Sequence, residues 1–193
     1  MSTLTTSRPS RKGVALRVHL EPVSSKHERA FLAAARASRA FHRPWGAPPQ
    51  TAAGFHRYVQ RTSDDRCLAF FVFSSSDDLV GAVTVSEIVR GAFQSAYLGY
   101  YVFVPFQRRG LMTAALVQVV TQLFRKHRLH RVEANIQPSN AASIGLVRRL
   151  GFRKEGLSRR YLKINGRWRD HERWAVTREE WKSERAAGAL TID

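Results

Sequence analysis

Apolar residues along the chain recur in two rhythms, a period of two and a period near 3.6. "GVALRVHLEPV" (13–23) reads as a first strand. Ser25, with Glu28 three residues on, has the pattern of a capping box and predicts a helix through "KHERAFLAAARAS" (26–38). Prolines at 44, 48 and 49 make "FHRPWGAPP" (41–49) a loop, because proline lacks an N–H and its ring clashes inside a helix. Thr51 can cap a second helix over 52–61. "CLAFFVF" (67–73) and "LVGAVTVSEIV" (79–89) are β-rich runs, and the intervening "SSSDD" predicts a hairpin. "QSAYLGYYVFV" (94–104) is a fourth strand, stopped by Pro105.

A helix over 110–125 follows, with Leu111, Ala115, Val119 and Leu123 at helical spacing and Leu116 and Val120 beside them. "RVEANIQ" (131–137) is a fifth strand, stopped by Pro138. "SNAASIGLVRRLGF" (139–152) reads as a short helix ended by Gly151, a left-handed stop. "FRKEGL" (152–157) is a further strand, and Asn165-Gly166 predicts a tight turn into a returning strand, "RWRDHERWAVT" (167–177). The order β-α-α-β-β-β-α-β-α-β-β predicts an α/β fold, a mixed sheet with helices on its faces. No repeat or linker interrupts it. The expected organisation is a flexible N-terminal tail at 1–13, a single domain over 14–183 and a C-terminal tail at 184–193.

Composition narrows the class. At 193 residues and 44% hydrophobic, the chain can bury a sizeable core. No run of roughly 18 apolar residues occurs, so no membrane-spanning helix is expected. The polar start "MSTLTTSRPSRKG" does not look like a leader, and the single cysteine, Cys67, excludes an internal disulfide. A cytoplasmic setting is the expectation. Cys67 sits in an apolar run and reads as core. His127 and His130 lack nearby carboxylate or cysteine partners in the sequence, so no metal site is expected. The formal net charge of +17 favours polyanions: RNA, ribosomes and phosphate-bearing cofactors. The plain alternative is compositional, since arginine outnumbers lysine and is spread throughout.

The chemistry concentrates in "VPFQRRGLMTAAL" (104–116), where a strand hands over to a helix. A helix start has free N–H groups and a partial positive charge, and so suits phosphate oxygens. Gly110 admits close approach, and Arg108 and Arg109 add charge-assisted donors. A surface turn is the plain alternative. Neither the Walker pattern nor the dinucleotide three-glycine pattern is present. One strand later, "QPSNAAS" places Asn140 at a helix start with Ser143 three residues on, which by itself is ordinary capping.

Together these features resemble the GNAT superfamily of acyl-CoA N-acyltransferases. "FHRPW", "IVRGAFQSAYLGYY", "HRVEANIQPSN", "LGF-x-x-EG" and "Y-L-x-I-N-G-x-W-R-D-H" are similar to the Rim-type (RimJ-like) ribosomal-protein-alanine N-acetyltransferases, over about 14–177. The resemblance implies a mostly antiparallel mixed sheet with helices on both faces and splayed fourth and fifth strands. It implies acetyl-CoA as co-substrate and no metal. Val102, Phe103 and Val104 would line the pantetheine arm. Gln107, Arg108, Arg109, Gly110, Leu111, Met112 and Thr113 would cradle the pyrophosphate, and Asn140 and Ser143 would meet the pantetheine side. Met112 departs from the small residue usual there. Leu150, Gly151 and Phe152 would close the motif.

The implied reaction is attack of an amine on a thioester. An α-amine has a pKa of about 8 against about 10.4 for lysine, which makes its deprotonation easier by about 3 kcal/mol at neutral pH. A weak base or a water relay then suffices. The oxyanion donor would be a backbone N–H near 101–103. Many members protonate the leaving thiolate with a helix tyrosine. Val147 occupies that position here, and Ser143 resembles the serine proposed for the role in Rim-type enzymes. Glu87, closing the third strand, is the candidate base. Glu133 is an alternative, although Val132, Ala134 and Ile136 point the other way from it. The plain reading of either glutamate is a solvated strand residue.

Trp45, Tyr161, Trp168 and Asp170 are the candidate acceptor residues; packing under the loop is the plain role for Trp45, an arginine pair for Asp170. The implied partner is a protein N-terminus, from a ribosomal protein or the ribosome, with weak nonspecific RNA affinity, no membrane, and a monomeric or homodimeric state. Two other readings stand beside this one: an acetyltransferase of a small amine or antibiotic, and a non-catalytic ribosome- or RNA-associated factor.

Overall fold

The computed structural model describes residues 17–62 and 64–182. The expected tails at 1–13 and 184–193 lie outside the described residues. The strands are β1 (Val18–Pro22), β2 (Leu68–Ser74), β3 (Leu79–Val89), β4 (Ser95–Val102), β5 (Arg131–Ile136), β6 (Arg153–Ile164) and β7 (Arg167–Thr177). The helices are α1 (Glu28–Ala37), α2 (Arg39–His42), α3 (Ala52–Arg61), α4 (Leu111–Arg125) and α5 (Ala141–Arg149). One sheet runs in the order β1-β2-β3-β4-β5-β7-β6. Only β4 and β5 are parallel; the remaining neighbours are antiparallel.

Helices cover both faces, as the hydrophobic pattern requires. The buried side of α4 (Leu116, Val119, Val120, Leu123) packs on Val83, Val85, Leu98 and Val132. On the other face α1 and α3 bring Phe31, Phe55 and Tyr58 against Phe71, Phe73 and Phe103. Among the described residues no helix is long and apolar enough to cross a membrane.

Several local expectations hold. Thr51 Oγ1 accepts from the Gly54 N–H at 3.2 Å, capping α3. Gly151, at φ +85°, ends α5, and Asn165 and Gly166, both left-handed, make the β6–β7 turn. Others do not hold. Ser25 is no cap: it lies inside a 3₁₀ turn (Ser25–His27), and neither that turn nor α1 has a side-chain cap bond. The predicted loop at 41–49 begins late, because α2 runs through His42, two residues before the first proline. β6 spans twelve residues where its apolar run predicts six. As the sheet's edge it shows no clean alternation of buried and exposed positions, so only its pairing with β7 reveals its length.

The decisive feature is the parting of β4 and β5. Their pairing covers only Ser95↔Arg131, Ala96↔Val132 and Tyr97↔Glu133. Beyond Tyr97 the strands diverge into a V. Gly81 of β3 explains part of this. A Cβ there would lie 2.2 Å from Tyr101 O, so the absent side chain lets the end of β4 lean onto β3 and away from β5.

Candidate functional site

At the open end of the V, β4 passes through Pro105 into the turn at 107–110 and then α4. Gly110 is the N-cap residue at φ +72°, a conformation that glycine adopts without strain, and no side chain caps the helix. The first-turn N–H groups of α4 are therefore left for a ligand. Arg108 (φ +57°) and Arg109 are exposed, and Arg109 lies 5.8 Å over the Phe106 ring. A helix start with no internal cap and two exposed cations, without ion pairs among the described residues, suits a pyrophosphate. Leu111, Met112 and Thr113 are buried under the turn. Met112 does not intrude on the cradle: its Cε would sit 3.0 Å from a Cβ on Gly81, so it fills the space that glycine leaves.

Register assigns each wall of the V to a face. Ala96, Leu98, Tyr100 and Val102 face α4, with Val132, Ala134 and Ile136 of β5. On this face Asn140 caps α5 by accepting from the Ser143 N–H at 3.1 Å. Tyr100 reaches across the V, its phenol oxygen 2.6 Å from Ser143 Oγ. Burial pushes the Tyr100 phenol up to about 12, partly offset by that bond, so it stays protonated. Val147 is fully buried core, one turn further along α5.

The opposite face carries Tyr97 and Tyr101 of β4 with Glu133 and Asn135 of β5. His42, only 4% exposed, packs on Tyr101 and Phe103 at 5.7 and 6.1 Å between centroids. Its Nε2 lies 2.8 Å from Val102 O. A carbonyl only accepts, so Nε2 carries the proton and Nδ1 keeps its lone pair in the neutral ring. Burial holds the imidazole below its ordinary pKa, and the Val102 bond opposes this weakly. Nδ1 is buried without a partner, as is Asn135 Oδ1. The segment after α2 straps this mouth of the V: Gln137 Nε2 donates to Trp45 O at 3.4 Å, and Asn165 Nδ2 donates to Arg43 O at 2.7 Å. Ser38 Oγ accepts from the Val104 N–H at 3.0 Å. The Phe103 N–H is committed to Val80 O at 2.7 Å and, by the same antiparallel register, the Tyr101 N–H is committed to β3, which narrows the oxyanion donor to the Val102 N–H.

Of the predicted acceptor residues, the structure brings in Trp45, through the strap, and Tyr161, whose hydroxyl donates to Tyr97 Oη at 3.4 Å near the apex of the V. Trp168 is 61% exposed at the hairpin tip. Asp170 is exposed on β7 and accepts from the Arg160 N–H at 2.8 Å, bracing a bulge. Glu87 is not in the V. It lies exposed at φ +50° on a bulge of β3 beside the start of β4, at the opposite end of the sheet from the cradle. Its charge acts on Cys67, whose buried thiol is raised chiefly by desolvation. Glu133 is held by Arg131 Nε at 2.9 Å. Sequence reasoning missed His42 and Tyr100. The available signal was polar groups set in otherwise apolar runs, "AFH" before the proline loop and "LGYYV" in β4. Among the described residues no cluster of ligating side chains suits a metal ion.

A model of the acetyltransferase (GNAT) domain family matches residues 17–153. The chain is 40% identical over 120 residues to the probable N-acetyltransferase YjcK of Bacillus subtilis, covering 62% of this chain and 66% of that protein. It is 41% identical over 104 residues to the ribosomal protein uS5-alanine N-acetyltransferase of Escherichia coli, covering 54% of each. The matched region thus spans between about half and just under two thirds of these relatives' length. Among solved structures, Mycobacterium smegmatis RimJ in complex with CoA-disulfide superposes with a TM-score of 0.83 at 30% identity, covering 90% of both chains. The ribosomal-protein-S5-alanine acetyltransferase of Vibrio fischeri superposes with a TM-score of 0.74 at 27% identity, covering 86% of this chain and 95% of that one.

Proposed function

The chain belongs to the GNAT acetyltransferase family, and from that membership we propose that it transfers the acetyl group of acetyl-CoA to the α-amine of a protein N-terminus, with a ribosomal protein as the first candidate. The bound co-substrate supplies the acetyl group as an activated thioester. The residues present fit it. The uncapped start of α4 with Gly110, Arg108 and Arg109 suits the pyrophosphate, and the diverging strand end at Val102 and Val104 suits the pantetheine arm, whereas Phe103, fully buried with its N–H on Val80 O and its carbonyl on the Phe106 N–H, has no group to offer it.

The observation that carries the acceptor reading is the set of orphaned polar atoms on the other face. Among the described residues His42 Nδ1, Asn135 Oδ1 and Tyr101 Oη are buried without partners, and an amine brings N–H donors. No free carboxylate joins them among the described residues: Glu133 is paired with Arg131, Asp170 braces β6 and Glu87 is remote. A subsite whose carboxylate, Glu133, is already paired with Arg131 suits one α-amine better than a polycationic small molecule. It also suits the lower cost of deprotonating an α-amine.

In the transfer a C–N bond forms, the C–S bond breaks, the nitrogen gives up a proton and the thiolate gains one. His42 Nδ1 takes the nitrogen's proton, in place of Glu87. Ser143, held by the Tyr100 phenol, orients the departing sulfur by donating a hydrogen bond to it, and the thiolate takes its proton from solvent. The Val102 N–H steadies the developing oxyanion.

The test incubates the full chain with acetyl-CoA and peptides starting in Ala or Ser, then reads the N-termini by mass spectrometry. Acetylated N-termini are expected. Transfer to polyamines or aminoglycosides with untouched peptides would replace this reading with the small-amine one, and no transfer to any amine would leave a non-catalytic factor. His42→Gln keeps a donor for Val102 O but removes the titrating nitrogen. It is expected to lower kcat and to abolish the acidic limb of the kcat–pH profile.

A further inference from the structure

At the end of the sheet opposite the cradle, a recess of about 770 Å³ is lined by Arg90, Gln94, Phe124, Arg125, Arg128 and Arg178. It draws on the β3–β4 connection, the end of α4 and the residue after β7. A helix of fifteen residues separates it from the cradle by roughly 20 Å, so it shares nothing with the V. We infer that this recess binds the phosphodiester backbone of single-stranded RNA, with Phe93 stacking an unpaired base.

Charge is the first support. No carboxylate lines the recess. Among the described residues Arg90, Arg125 and Arg128 have no ion pair, and Arg178 has only Glu179 at 3.7 Å, a carboxylate that also lies 3.0 Å from His130. The contrast is with β5–β7, where Glu133, Glu155, Glu180 and Glu172 neutralise Arg131, Arg153 and Lys154. Three guanidinium groups without ion pairs among the described residues, and a fourth that shares its carboxylate, therefore converge in this concavity. His127 at its rim reports the same field. Its pKa is held down first by burial and then by the cations of Lys126 and Arg90.

Preorganisation is the second support. Arg90 Nη1 donates to His127 O at 2.5 Å. Gln94 O accepts the N–H groups of His130 and Arg131 at 2.7 and 3.1 Å, and the Arg178 N–H donates to His130 O at 2.8 Å. These bonds sew three separate segments together. They also hold Gln94 (φ +42°) and Arg128 (φ +54°) in the left-handed region that such residues seldom adopt. The Arg90 guanidinium is held directly and the others spring from a braced backbone, which lowers the cost of gathering them on a phosphate chain.

Phe93 selects the partner. It is 72% exposed at the tip of the same connection. An exposed ring beside arginines is the pairing that single-stranded nucleic acid uses, stacking for the base and charge for the backbone. A duplex offers no unstacked base.

The test measures fluorescence anisotropy of a short labelled single-stranded RNA on the full chain across a salt series. The double variant Arg125→Ala/Arg128→Ala is expected to reduce the slope of log K against log salt by about 1.4, and to weaken binding roughly fiftyfold at about 50 mM salt. Phe93→Ala is expected to weaken it about tenfold with the slope unchanged. Acetylation of a peptide should be unaffected in both. Arg29→Ala/Arg57→Ala, on exposed positions of α1 and α3, removes the same charge elsewhere. If that control matches the recess variant, diffuse charge binds the RNA and the inference falls. It falls also if wild-type protein binds no RNA, or if polyglutamate displaces the RNA and Phe93→Ala binds as wild type, which would point to an acidic protein partner.

Discussion

Tyr100 and His42 sit on opposite faces of one strand, and each joins β4 to another part of the fold. Tyr100→Phe leaves Ser143 Oγ without its 2.6 Å partner. It is expected to lower kcat by roughly 10- to 100-fold, with KM for acetyl-CoA little changed. Steady-state kinetics check this, and an unchanged kcat would reduce the pair to a structural tie. The same phenol makes a pH prediction. Its pKa is raised from 10 to about 12 in the fold, so between those values the folded state binds the extra proton. The stability it contributes is complete below pH 10 and lost as pH rises toward about 12, by about 1.4 kcal/mol per pH unit. Alkaline denaturation of Tyr100→Phe should lack that component. Histidines work at the other end of the scale. His42, His127 and His171 are all held below 6.5, first by burial. The unfolded chain takes up those protons first, so their contribution is present above pH 6.5 and lost as pH falls below it. Tm should drop between pH 7 and pH 5, and His42→Gln should lessen the drop.

At the level of elements, two glycines shape the V and its cradle. Gly110→Ala puts a Cβ on a residue at φ +72° and crowds the phosphate side of the turn. A cost of about 1 kcal/mol in stability and a larger loss of acetyl-CoA affinity are expected, read by calorimetry of unfolding and of binding. Gly81→Ala presses on the backbone at Tyr101 O, and a cost of about 2 kcal/mol is expected. Adding Met112→Ala should not restore stability, because the nearest atom is the carbonyl and not the methionine. Legibility differed by element for similar reasons. Thr51, Asn140 and Gly151 act on backbone groups within a few residues, so their roles were readable. Ser25 has the same pattern as a cap, but the chain tightens there into a 3₁₀ turn. β6 was half visible, since an edge strand with both faces wet carries no hydrophobic alternation.

For the whole molecule, the charge of +17 acts as self-repulsion. Raising salt from about 50 to about 500 mM should therefore raise Tm by a few degrees, through screening. A fall would mean that the ion pairs along β5–β7 outweigh that repulsion. The amino-acid sequence by itself determined the succession of strands and helices, the cradle at 107–110 and the family resemblance, because periodicity, prolines and glycines act over short stretches of chain. The place proposed for acetyl-CoA, the turn at 107–110, rests on that resemblance. Tertiary structure alone decided which side chains share the V. The Tyr100–Ser143 contact joins residues 43 apart and His42–Val102 joins residues 60 apart. Glu87 looks near β4 in the sequence, yet it falls at the far end of the sheet because β3 runs antiparallel to β4. Such meetings depend on where β4 leaves β5 and on the strap that closes the gap, and no local pattern of residues encodes either.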